Sequence, residues 1–478
     1  MRDLAALLHI TLPETVICSV THEESGAFPG FPHLPSFVRV CFENRCGEGS
    51  LIHSELWLPD HWNGIFVGTG NGRMAGGIVH SNMAPYVAEG YAAANTDMGT
   101  SGYPERNLLY AAVPTDFGWR STQRMTEVSK ELIRVYYGRE AKKSYFIGAS
   151  TGGNQALQMA QRFPEAYDGI LAGVPANNRI FLHTYFIWNH VHLRKPDGRV
   201  FFSDDEIPMI TAAAVRFFQL RGDGRPGDNF ITRPIQDTDT IHAFLEFLHT
   251  EHPSFSEEQL AALEAVYSGP VNSVTGRRIY NGMPIGSEKF GCGIRDCQAP
   301  ECPFFMPFRW VFGWDYSPYD FDFAADLDKV SSMLSPAMNA NNADLTAFRD
   351  HGGKLLMYSG TADPCVPYPD AWRYMERVQE KAGGFATAAE FCQYYLLPGM
   401  DHGAGGDGAT HMTGEKYTSL LDVLRDWREN GNTPETMLAV RMENGGKVWT
   451  RTVYPLGSAG FPIKGRPPVC DDWYLETV

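Results

Sequence analysis

The sequence predicts an α/β protein, a mostly parallel sheet flanked by helices and broken by one large inserted segment. Strand-like and helix-like segments alternate between residues 37 and 173, stop alternating between about 176 and 345, and resume at Lys354. Such alternation is the signature of strands joined by helical crossovers. Phe37 to Phe42 and Leu51 to Leu58 alternate and are rich in β-formers, so they open the sheet. Gly64 to Val67 follows, then the glycine-rich turn GTGNGRMAGG from Gly68 to Gly77. Tyr91 to Thr96 reads as a buried strand of small residues. Met125, Val128, Leu132 and Val135 stand at helical spacing within a helix from about Ser121 to Tyr137. Ser144 to Ile147 and Asp168 to Gly173 are short strands around a helix from Gly152 to Phe163, which stops before Pro164. The middle holds a polar turn, RGDGRPGDN, a helix near Glu257 to Val266 and the aromatic run FFMPFRWVFGWDYSPYDFDF. From Lys354 come KLLMYSG, a helix near Ala371 to Lys381, YYLLPG and a helix near Tyr417 to Glu429.

Composition excludes several classes. The chain has 478 residues, enough for two or three domains, and 43% are hydrophobic, which suits a packed core. Its net charge of −16 argues against a nucleic-acid face, which needs clustered Lys and Arg. No apolar run is long enough to span a membrane. The N-terminal apolar patch is broken by His9, Thr11, Pro13 and Glu14, so a cleaved secretory signal is not expected. Nine scattered cysteines favour a reducing compartment, and a cytoplasmic location is expected. Cys292, Cys297 and Cys302 lack the paired spacing of a zinc motif and read as thiols in an irregular segment.

Gly148-Ala149-Ser150-Thr151-Gly152 fits G-x-S-x-G, a pattern that means little without its context. Here YFI leads in and a helix leads out, the strand–turn–helix setting of a strained nucleophile turn. A serine nucleophile needs a base, and the base needs an orienting carboxylate. Asp363 follows the strand KLLMYSG and His402 follows YYLLPG, so order and placement match the Ser, Asp, His series of α/β-hydrolases. Asp370 lies farther from its strand and is the weaker acid candidate; Asp401 reads as a cap. The GAGGDG after His402 permits close backbone packing. An oxyanion hole would use the amide of Thr151 and one from the Gly70-Asn71-Gly72 turn, assigned to Gly72. That turn is neither a Walker A loop nor a dinucleotide fingerprint, since no suitable helix follows at once.

These residues together resemble the fungal tannase/feruloyl esterase family. The matching stretches are WNGIFVGTGNGRMAGG at Trp62, NTDMG at Asn95, YFIGASTGGNQAL at Tyr145, FPEAYDGILAGVPA at Phe163, NADLTAFRDHGGKLLMYSGTADP at Asn342 and LPGMDHGAGG at Leu397. They run from about residue 35 to about 455. The resemblance implies an α/β-hydrolase core at 1–175 and 346–478, with a lid inserted at 176–345. It implies Ser150, Asp363 and His402 as the triad, and a lid that shapes the acyl pocket, to which the run near Trp310 contributes unless it is simply lid core. It also implies two departures. Family members carry cysteines beside the nucleophile and beside the histidine, joined in a disulfide; here these positions are Ala149 and Gly403. The family's acidic calcium loop is reduced to Asp223 and Asp228, so a plain turn is favoured over bound calcium.

The expectation is a serine hydrolase that cleaves a small aromatic or polyketide-like ester through an acyl-enzyme, with no cofactor required. The alternative is a tailoring enzyme that uses the same triad for acyl transfer, lactone formation or a non-hydrolytic rearrangement. An extracellular esterase is a third reading.

Overall fold

The computed structural model describes residues 4–101, 112–234 and 236–459. Nine strands form the main sheet: β1 (Thr15–Glu23), β2 (Phe37–Asn44), β3 (Ile52–Pro59), β4 (Ile65–Thr69), β5 (Ala92–Thr96), β6 (Lys143–Ala149), β7 (Gly169–Gly173), β8 (Lys354–Gly360) and β9 (Cys392–Leu397). Their spatial order is β1-β2-β3-β5-β4-β6-β7-β8-β9. The pairings among β1, β2, β3 and β5 are antiparallel. From β5 through β4, β6, β7 and β8 to β9 every pairing is parallel. The sheet is thus parallel-rich, with an antiparallel extension that includes β1, a strand the sequence pattern did not reveal. A smaller antiparallel sheet, β10 (His411–Thr413), β11 (Met437–Glu443) and β12 (Gly446–Val453), was also not foreseen.

The period-two alternation along each strand sorts its side chains between two apolar layers. Phe66, Phe146, Ile170, Leu355 and Met357 pack with helices Ser121–Tyr137, Thr151–Arg162 and Pro369–Ala382. Val67, Tyr145, Leu171 and Leu356 face the other way, against helix Leu420–Asn430. Both faces being covered explains why the central strands read as continuous apolar runs.

The chain between the adjacent strands β7 and β8 adds no strand among the described residues. Its helices, which include Arg179–Leu193, Glu206–Leu220, Thr238–Glu251, Glu257–Ser268 and Ala325–Met338, pack into one apolar cluster that also takes in Met98, Phe117, Cys365 and Val366. The expected helix at Glu257 is present, and Ser256 and Gln259 open it with a capping box. Arg179–Leu193 is buried almost all round, so it lacks the polar face that marks a surface helix. No described helix is long and apolar enough to cross a membrane.

Both ends of this insertion are fastened to helix Thr151–Arg162. The Asn154 side-chain amide donates to Ala176 O at 3.0 Å and to Met338 O at 3.0 Å. An Asn154→Ala variant leaves two buried carbonyls without a donor, each costing about 1–3 kcal/mol. Its stability should fall by about 2–4 kcal/mol in urea unfolding. An unchanged midpoint would mean that these carbonyls find other donors.

Candidate active site

Ser150 stands where β6 turns into helix Thr151–Arg162. Its φ is 61° and ψ is −119°, a left-handed conformation that costs a non-glycine residue about 1–3 kcal/mol. The turn is fixed by Ser150 N donating to Gly173 O at 3.0 Å and Asn154 N donating to Ser150 O at 3.1 Å. Glycine is required on both sides. A Cβ on Gly148 would lie 2.2 Å from Gly152 O, and one on Gly70 would lie 2.5 Å from Gly152 Cα. These contacts let the Gly70 loop, at the end of β4, sit directly on the first turn of the helix.

That loop is pinned from three directions. Asn71 N donates to Gln155 Oε1 at 2.8 Å, Gly152 N donates to Asn71 O at 2.8 Å, and Asn71 Nδ2 donates to Thr96 O at 2.8 Å. The Thr151 hydroxyl donates to Arg73 O at 2.5 Å. Gly72 and Arg73 are thereby carried to the edge of the cavity that Ser150 enters.

Asp363 lies just beyond β8 and is fully buried. Its Oδ1 accepts from the amides of Cys365 at 2.8 Å and Val366 at 2.9 Å. Its Oδ2 is 2.8 Å from His402 Nδ1. The two amides orient the carboxylate toward Nδ1, and this leaves His402 Nε2 as the free ring nitrogen. Burial works against the imidazolium, but the charge and hydrogen bond of Asp363 outweigh it and hold His402 up at about 9. Next to it, burial and then the charge of Asp363 push Asp401 up to about 7. Asp370 does not approach His402; it accepts from Asn178 Nδ2 at 3.3 Å.

The His402 loop is held without a covalent tie. Arg441 on β11 donates to Gly406 O and, at 3.1 Å, to Gly408 O. Lys289 of the insertion meets Asp407 at 2.5 Å. The smaller sheet therefore serves the site, and nothing in the local pattern around Arg441 pointed to that.

Ser150 and His402 open into one cavity of about 560 Å³. Core residues Gly72, Arg73 and Cys365 form one wall; Gly291, Cys292, Asp296, Glu301, Pro303 and Phe304 of the insertion form the other. Of the aromatic run only Phe304 lines this cavity; Trp310 instead packs edge-on against Phe117, with ring centroids 5.9 Å apart. Thr151 is buried at the helix N-terminus, where first-turn amides have no partner within the helix.

Arg179 escaped the sequence reading, although a lone cation opening an apolar helix was a visible signal. It is buried, lies 4.6 Å from the Phe117 ring, and donates to Arg73 O at 2.9 Å and Thr151 Oγ1 at 3.0 Å. Among the described residues its Nε and Nη1 have no partner. Burial pushes the guanidinium well down from its ordinary range.

Asp223 and Asp228 do not fit calcium, which takes about six to eight oxygens. Asp228 gives both oxygens to Arg451, one at 2.9 Å, and Asp223 accepts from the amides of Thr232 at 2.6 Å and Arg233 at 2.9 Å. Among the described residues no three His, Cys, Asp or Glu side chains converge as a ligand set.

Known proteins resemble this chain over most of its length. A family model described as tannase and feruloyl esterase matches residues 39–294 and 308–459. Feruloyl esterase B of Aspergillus niger is 29% identical over 433 residues, which covers 86% of this chain and 80% of that protein. An uncharacterized esterase of Xanthomonas campestris is 28% identical, over 92% of this chain and 84% of its own. The crystal structure of feruloyl esterase B from Aspergillus oryzae superposes with a TM-score of 0.82 at 23% identity, covering 95% of each chain. This last likeness is one of fold.

Arg179 clamps the Gly72–Arg73 backbone to Thr151. An Arg179→Met variant removes the clamp together with a buried unpaired charge. Labelling of Ser150 by a fluorophosphonate should slow by about 10–100-fold, while the melting temperature holds or rises. A lower melting temperature with unchanged labelling would make Arg179 a packing residue only.

Proposed function

The chain belongs to the tannase and feruloyl esterase family, whose members hydrolyse carboxylic esters, and on that premise we propose that Ser150, His402 and Asp363 carry the hydrolysis through an acyl-enzyme. The observation that carries this reading is the 2.8 Å His402–Asp363 contact in the cavity that the strained Ser150 turn enters.

Ser150 attacks the ester carbonyl and His402 Nε2 takes its proton. The imidazolium that forms is stabilised by Asp363, whose position is set by two backbone amides. The oxyanion accepts hydrogen bonds from the amides of Thr151 and Gly72, held in place by the Arg73, Asn71 and Arg179 contacts. His402 returns the proton to the departing alcohol. Water then attacks the acyl-enzyme by the same route in reverse.

The acyl group is that of an aromatic acid. Phe304 and Pro303 offer an apolar wall beside Ser150, and a cavity of about 560 Å³ holds one substituted ring with its ester. The Aspergillus niger relative is named a feruloyl esterase, and the same acyl class is proposed for this chain. A small aromatic or polyketide-like ester in a reducing cytoplasm suits a site whose loops are tied by Arg441 and Lys289, with Ala149 and Gly403 flanking the two catalytic side chains.

Methyl esters of hydroxycinnamic and hydroxybenzoic acids should be cleaved with kcat/KM at least about 10-fold above aliphatic esters of equal length. Ser150→Ala should lose at least about 10³-fold in kcat. Full activity in that variant would remove Ser150 from the mechanism, and a preference for aliphatic acids would remove the aromatic assignment.

The pH profile follows from His402. Only the neutral imidazole accepts a proton, so kcat/KM should rise tenfold per pH unit up to about pH 9. Asp401 ionises near pH 7 and its charge helps hold His402 up. In Asp401→Asn the rising limb should therefore move to lower pH. A limb that stays or moves up would contradict this electrostatic coupling.

A further inference from the structure

Cys292 and Cys365 come together at the mouth of the active site from segments far apart in the chain. Cys292 belongs to the insertion and Cys365 follows Asp363 by two residues. Their sulfurs are 2.9 Å apart, and both side chains line the cavity shared with Ser150 and His402. Of the other thiols of the insertion, Cys297 Sγ meets the Cys292 carbonyl, at 3.5 Å, and Cys302 Sγ lies 3.7 Å from Phe186 O. Cys392 is buried beside the Met375 sulfur. Cys292 is half-buried, and Cys365 is buried where it lines the cavity.

We propose that Cys292 and Cys365 are a reversible disulfide site that, when oxidised, ties the insertion to the Asp363 loop. A disulfide needs its sulfurs at about 2.05 Å, so the pair closes with a shift of roughly 0.9 Å. The oxidant is a low-molecular-weight disulfide of the glutathione type. The Cys292 thiolate attacks one of its sulfurs, forms a mixed disulfide and releases one small thiol. The Cys365 thiol then loses its proton and attacks the Cys292 sulfur, which expels the second small thiol. Two protein thiols and one small disulfide become one protein disulfide and two small thiols. Contact with Cys292, and then burial, push the Cys365 thiol well above its ordinary range, which suits it to be the second sulfur to react. The bond would close a loop of about 70 residues and so restrict the unfolded chain. It would also anchor the residue whose amide holds Asp363 Oδ1 at 2.8 Å. In a reducing compartment the pair stays as two thiols and the tie is released.

The full chain is first reduced, then incubated with oxidised glutathione, quenched with iodoacetamide and examined by intact mass and peptide mapping. Two of the nine cysteines should escape alkylation, in one cross-linked peptide pair containing residues 292 and 365. Cys292→Ser and Cys365→Ser should each lose that pair, and Cys302→Ser should keep it. Oxidation should raise the melting temperature of the wild type by about 3–6 °C and leave Cys292→Ser unchanged. Alkylation of all nine cysteines, a cross-link elsewhere or a lasting glutathione adduct on Cys292 would overturn the site. A correct cross-link without a rise in melting temperature would overturn the tie.

Discussion

Ser150 can project from the sheet edge only because no side chain stands between β6, the Gly70 loop and the first turn of helix Thr151–Arg162. Its backbone is left-handed at φ 61°, and Gly70 and Gly148 let their backbones meet Gly152 where a Cβ on either would collide. The elements around the cavity are referred to this turn. The β4 loop rests on Gly152, β7 ends against Ser150 N, and Asn154 fixes both feet of the insertion from the same helix. The strain of about 1–3 kcal/mol at Ser150 is spread over these contacts.

Asp363 and His402 are positioned differently. Asp363 is set by its own backbone, through two amides in the turn that follows β8. His402 sits on a loop of close-packed glycines that needs outside support, given by Arg441 from the smaller sheet and Lys289 from the insertion. Arg451 links that same sheet to Asp228 of the insertion. The smaller sheet thus couples the histidine loop to the segment that shapes the substrate cavity. A loop tied by charge in this way is sensitive to ionic strength where its pairs are exposed.

Much of this was legible because local pattern and tertiary role coincide. The strands of the parallel half and the helix Ser121–Tyr137 follow their hydrophobic period, and Ser150 is announced by glycines whose spacing has a steric reason. Asp363 and His402, which lie 2.8 Å apart, were singled out by chain order and by their places after β8 and β9. Elements whose logic is tertiary were missed. Helix Arg179–Leu193 is buried on every side and shows no amphipathic stripe. Strands β1 and β10–β12 pair antiparallel outside the strand–helix alternation, where that signal is silent. Arg441, Lys289 and the Cys292–Cys365 contact join segments far apart in the chain, and a single sequence carries no trace of such pairings.

The central claim is that Ser150 is an activated nucleophile in an assembled site. The most direct measurement is the intact mass of the reduced, full-length protein after exposure to a fluorophosphonate, with the adduct located by peptide mapping. One adduct is expected, on Ser150, forming faster as the pH rises toward about 9, where His402 becomes neutral. No adduct on the folded protein, or an adduct on another serine, would contradict it.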